Sequence, residues 1–192
     1  MKRLLHFLVP VFVLVISSLS GFSQTTGIYL TFEDFSNEFI SHEFSCNEKG
    51  SRISLGNLKR DWIKVKSPKG KFRYKKSETY GYLDCNGQQF RFFENQLYQI
   101  SEVGHLIVYQ LGDSDTSLGE ELNSFATFHF SLNLSGPILP LNLDNLKQAY
   151  PENHQFHDLL DANFSGGQAI FSFDEFHNTY KVNRILGECS NH

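Results

Sequence analysis

After the initiator the sequence has no methionine, and its 192 residues hold one tryptophan, four alanines, five prolines and three cysteines. So little alanine works against a mostly helical chain, while 19 phenylalanines and 8 tyrosines favour strands. Beyond the first two dozen residues no run is long and apolar enough to span a bilayer. Nothing repeats at a fixed period, and there is neither a low-complexity tract nor a long linker. The sequence lacks GxSxG, a phosphate-cradling glycine loop and HExxH, which removes the hydrolases, nucleotide binders and zinc peptidases defined by those motifs. A glycosidase carboxylate pair stays open, because such pairs are often far apart in sequence.

The amino-terminus is of a different kind from the rest. Lys2 and Arg3 precede an apolar run from Leu4 to about Ile16, and SSLSGFS follows. That is the three-part plan of a secretory signal peptide, with cleavage expected before Gln24. The run is shorter than a membrane span, and Pro10 interrupts it. Residues 1–23 are therefore read as a signal peptide and 24–192 as one domain. The product is expected to be exported, periplasmic or extracellular, with no transmembrane span in the mature chain.

Removing Lys2 and Arg3 moves the formal charge from -4 to -6, which argues against a general nucleic-acid binder. The charge is uneven. Ten of the remaining fifteen Lys and Arg lie between Arg52 and Lys76, whereas residues 112–192 carry eleven acids against Lys147, Lys181 and Arg184. Such asymmetry can mark a binding face. Export makes a disulfide permissible. Cys46, Cys85 and Cys189 allow three single pairings; Cys46–Cys85 is favoured because both sit in polar, turn-like contexts, and unpaired thiols stay an alternative.

Strand alternation dominates the middle of the chain. DWIKVKS and KFRYKK alternate across the SPKG turn, giving a β-hairpin with Ile63, Val65, Phe72 and Tyr74 on one side. Lys64, Lys66, Lys71, Arg73 and Lys75 form the other. Further strands are expected at about 79–85, 88–94, 97–101, 105–111 and 125–134. The tight turn needing positive φ at both central residues is placed at Asn86-Gly87. Thr31 and Asp34 mark a short helix over 32–37. After Pro140 the pattern becomes helical: Asn142 caps LDNLKQAY, ENHQFHDLLDANF follows Pro151, and Ser172 with Glu175 caps a last helix over FDEFHNTYKVNRIL. The fold class is α+β: an antiparallel β-meander over about 52–134, forming a curved sheet or partial barrel, then C-terminal helices over about 142–186.

The leader ending in GFSQ before GIYLTFEDF, together with YGYLDCNGQQFRFF, KQAYPENHQFHDLLDANF and FHNTYKVN, resembles small secreted proteins of Bacteroidetes of unknown function. That resemblance covers most of the mature chain and implies no catalytic residue. YGYLDCNGQQFRFF alone is similar to the hairpin of WG-type repeats, with Tyr80 in place of the tryptophan and a single copy.

Two constellations carry possible chemistry. On the helix NHQFHDLLD, His154, His157 and Asp161 share the face opposite Phe156, Leu159, Leu160 and Phe164. Two imidazoles and a carboxylate suit Zn²⁺, with His177 or His105 as a further ligand. The plainer reading is a solvated helix face on which His157 caps a neighbouring carbonyl. The acidic loop 112–123 fails the EF-hand pattern at Leu118 and Ser124. The basic hairpin face either meets an anionic partner or shields an exposed edge. These readings favour a non-catalytic binding or interaction module whose ligand is a small molecule, a glycan or an envelope protein, with no nucleic acid. One alternative is a metal-assisted hydrolase built on His154, His157 and Asp161. Another is an envelope-associated structural protein meeting its partners through the basic hairpin.

Overall fold

The computed structural model describes residues 25–55, 61–111, 127–164 and 169–190. The leader, the acidic loop and Gly166-Gly167 lie outside them. The main body is an open, eight-stranded antiparallel sheet with helices mostly at the carboxyl end, an α+β architecture. Its strands are β1 (Thr25–Tyr29), β2 (His42–Ser45), β6 (Gly81–Leu83), β7 (Gln89–Phe93), β8 (Gln96–Val103), β9 (Ile107–Leu111), β10 (Phe128–Ser131) and β11 (Leu139–Pro140). They lie in the order β11-β10-β9-β8-β7-β6-β1-β2, so the sheet has two edges and does not close. The expected meander is real from β6 to β11. The first hairpin, however, leaves it. β3 (Arg52–Ser54), β4 (Trp62–Ser67) and β5 (Gly70–Lys75) make a separate three-stranded sheet, and β1 and β2 take the place beside β6.

Two covers bury one face of the main sheet. At one end Ile63 and Val65 of the small sheet pack on Ile28, Phe44, Phe90, Phe92 and Leu97. At the other end, α2 (Leu143–Ala149), α3 (His154–Phe164) and α4 (Lys181–Ser190) lay Leu146, Phe156, Leu160, Val182 and Ile185 against Leu106, Val108 and Phe130. On the reverse face Tyr98, Ile107, Tyr109 and Ile138 form a smaller cluster. Arg91 is buried there, its guanidinium donating to the Gly136 carbonyl at 2.7 Å and lying 5.5 Å from the Tyr80 ring. Among the described residues no helix is long and apolar enough to cross a membrane.

Local signals hold where they are self-contained. Thr31 and Asp34 close a reciprocal capping box on α1 (Phe32–Ser36), and Asn142 caps α2. The chain reverses at 94–96 as its sequence predicts, but the tight turn expected at Asn86-Gly87 is found there instead. Both central residues have positive φ at Glu94 (49°) and Asn95 (62°), so the tight primed turn joins β7 to β8. At Asn86-Gly87 only Gly87 (78°) is left-handed, because Asp84 accepts from the Asn86 and Gln88 amides at 2.8 and 2.7 Å and widens the loop. Cys85 in that loop is disulfide-bonded to Cys46 after β2, across the intervening β1. The chain between them spans 39 positions, and closing a loop of that length restricts the unfolded state by roughly 4 kcal/mol.

The largest correction is at the carboxyl end. No helix starts at Ser172. Residues 173–180 form a hairpin of β12 (Phe173–Asp174) and β13 (Thr179–Tyr180), and α4 begins only at Lys181. The cause lies far away in sequence. A bulge between Ile100 and Glu102 turns Glu102 onto the helix-covered face beside Val108. There its carboxylate accepts from the Tyr180 amide at 2.8 Å and from the Thr179 hydroxyl, holding that segment extended.

A second long-range tie fixes α4. The buried Asn183 amide accepts from Leu106 N–H at 2.9 Å and donates to Leu106 C=O at 3.0 Å, pairing like a strand residue. Gly104 makes room, since a Cβ there would lie 2.6 Å from Asn183 Nδ2. Asn183→Ala strands the Leu106 N–H in the interior, while the Leu106 C=O keeps the Gly104 amide at 3.2 Å, and should cost about 1–3 kcal/mol in urea unfolding. Asn183→Leu, which restores the volume but not the hydrogen bonds, should be no better than Asn183→Ala.

Candidate functional site

The outer face of the small sheet is the densest concentration of one charge in the described structure. β4 alternates, with Ile63 and Val65 buried against the main sheet and Lys64 and Lys66 pointing outward. The register then lines up cations across strands. Arg52, Lys66 and Lys71 form one row, Lys64 and Arg73 the next, and Trp62 with Lys75 the third. Strands lie about 4.8 Å apart and alternate residues about 6.8 Å apart, so the charges form a lattice roughly 10 Å across. Like charges placed directly opposite destabilise a sheet by about 0.2–1 kcal/mol per pair. One described carboxylate, Glu78, answers them, bonded to Lys75 at 2.7 Å.

The face also carries an aromatic ring, Trp62, which stood outside the sequence alternation; Phe72 and Tyr74 face inward as expected. Trp62 pairs with Lys75 on the outer side and is only partly buried. The Arg73 guanidinium carbon stacks 4.1 Å from the Trp62 ring centroid, and Lys75 Nζ is 5.8 Å away. The ring thereby positions a guanidinium, the group that binds carboxylate, sulfate or phosphate through two donors. Arg52 and Trp62 were missed by the hairpin pattern. Arg52 joins only through the pairing of β3 with β4, and Trp62 stands one residue before the clean alternation.

Groups around the lattice point the other way. Lys76, the next residue after β5, is 3% exposed, and burial pushes its ammonium pKa down against the opposing pull of Asp61. Tyr74 on the inner side is hydrogen-bonded to His42 Nε2 at 2.5 Å, which ties the small sheet to edge strand β2, and burial raises its phenol pKa. The six cations are therefore mounted on a sheet whose inner face is committed to the core.

The helical face of His154, His157 and Asp161 is engaged differently. His157 donates from Nε2 to the Tyr150 carbonyl at 2.9 Å, capping the end of α2. Both Asp161 oxygens accept from Lys147, at 2.6 and 2.8 Å. His154 is exposed, its ring centroid 5.9 Å from that of His157. His177 stands on the β12–β13 hairpin bonded to Asp174, and His105 lies beside Gly187. Among the described residues no three His, Cys, Asp or Glu side chains are grouped to hold a metal ion.

Lys66 has Arg52 on one side and Lys71 on the other. Lys66→Glu converts two repulsive cross-strand pairs into attractive ones. It should raise the free energy of unfolding by about 0.5–1.5 kcal/mol at low salt, with the gain shrinking as ionic strength rises. Paired urea titrations at low and high salt read both effects.

No family model, curated protein or solved structure matches this chain.

Proposed function

We propose that the protein is an exported, non-catalytic binding module whose basic sheet face docks on an anionic polysaccharide of the cell envelope. The observation that carries this reading is the alignment of like charges across the small sheet. Lysines shield exposed edges, and edge strand β5 supplies Lys71, Arg73 and Lys75. Lys64 and Lys66 stand on the central strand, where no edge needs shielding. Their cost to the fold is offset when a polyanion lies over the rows and releases its counterions.

The chemistry on offer is recognition by charge. The lattice contains six cations and one ring, and its one carboxylate is tied to Lys75. A linear chain bearing a carboxylate or sulfate on each unit matches the rows. A bilayer is favoured less, because membrane-binding faces combine cations with apolar residues that enter the lipid. Here the Trp62 ring is partly buried and stacked against Arg73. The leader expected at the amino-terminus and the disulfide between Cys46 and Cys85 support an extracytoplasmic setting.

The protein, expressed with its own leader and purified, should bind polygalacturonate and not neutral dextran of equal length. Affinity should fall steeply with added salt, as it does when several ion pairs form together. Lys64→Ser/Lys66→Ser/Lys71→Ser/Arg73→Ser should weaken binding by at least ~100-fold, which corresponds to about 2.7 kcal/mol. Equal binding by the quadruple variant, or equal binding of dextran, would overturn the proposal. Binding to anionic vesicles without binding to the polyuronate would move the docking surface from a glycan to a lipid.

A further inference from the structure

The β12–β13 hairpin holds a phenylalanine out in water. Phe176 is 91% exposed at its tip. The turn around it is tightly bonded. Asp174 Oδ1 accepts from the His177 amide at 3.1 Å, and Oδ2 accepts from His177 Nδ1 at 2.9 Å. The Arg184 guanidinium pairs with the same carboxylate at 3.0 Å. Hydrogen bonding to the His177 side chain, ahead of the other contributions, holds the Asp174 carboxyl below the usual carboxylate range. Glu102 anchors the base of the hairpin through Tyr180 and Thr179. Those bonds fix the backbone of the turn, and the Phe176 ring rests edge-on against the His177 ring at 4.9 Å.

Beside the protruding ring lies an open depression of about 450 Å³, lined by Ala169, Ser172, Phe173, Asp174, Glu175 and Lys181. Phe173 offers an apolar wall that is 43% exposed. The buried Ser172 hydroxyl has no hydrogen-bond partner among the described residues. The rim carries both signs, through Glu175 and Lys181. One hairpin thus presents a knob, a hole large enough for an aromatic ring, and a rim of mixed charge, all within a few residues.

We infer that two copies of this chain form a two-fold dimer through this hairpin, each seating Phe176 in the depression beside Phe173 of the other. A two-fold interface uses the same patch on both partners, so knob and hole must coexist on it. A partner of a different kind would need only the knob. The mixed rim completes the match, because rotation about the two-fold sets the acidic side of one rim against the basic side of the other. The patch is small, which makes the dimer reversible and dependent on protein concentration. This association goes beyond polyanion docking and uses none of the residues of the basic sheet.

Sedimentation velocity on the full protein, from micromolar to hundreds of micromolar, tests the dimer. The wild type should move from monomer to dimer as concentration rises. Phe176→Ser removes the knob, and Ala169→Trp fills the hole from an exposed position. Each should weaken dimerisation by at least ~10-fold while leaving the circular dichroism spectrum unchanged, since neither side chain belongs to the buried core. A wild type that stays monomeric throughout the range, or a dimer that survives either substitution, overturns the inference.

Discussion

An open antiparallel sheet of eight strands has one long face to remove from water, and no single element of this chain is large enough to cover it. The face is shared instead. Helices α2 to α4 take the β8–β10 end, and the three-stranded sheet takes the end built from β1, β2, β6 and β7. Much else follows from that division. Because strands alternate, committing Ile63, Val65, Phe72 and Tyr74 to the core sends every second residue of the small sheet outward. The cationic lattice is thus the obligatory reverse of a core-covering layer. Its charges cannot turn inward or spread apart without exposing the apolar side.

What was legible in the sequence was local. The 62–75 hairpin, the capping box of α1 and the Asn142 cap rest on residues a few positions apart, and the pattern carries them in full. What was not legible depended on partners distant in sequence. FDEFHNTY has the periodicity and cap spacing of a helix, yet Glu102, 78 positions from Tyr180, holds it extended. Glu102 reaches it only because the bulge at Ser101 reverses the facing of a strand, and a one-residue irregularity leaves no mark on alternation. The insertion of β1 between β2 and β6 is likewise a matter of pairing, invisible to any window of sequence.

The candidate site divides along the same line. Lys64, Lys66, Lys71, Arg73 and Lys75 came from alternation alone. Arg52 and Trp62 needed the register, and with them the face changes from a basic stripe to rows of aligned charge with one guanidinium stacked on a ring. The histidine-rich helix shows the converse. Its spacing placed His154, His157 and Asp161 on one face correctly, but spacing does not reveal what else lies within reach. The Tyr150 carbonyl and Lys147 take up His157 and Asp161 as links between α2 and α3.

The Cys46–Cys85 bond has a meaning beyond stability. It closes a covalent ring that contains β3, β4 and β5 complete, so the cationic sheet is a loop of chain fastened at both ends to the main body. A protease that severs one peptide bond anywhere between those cysteines leaves two chains still joined through sulfur. Such a ring makes the charged face durable: cutting it loose takes two cuts, or one cut and a reductant.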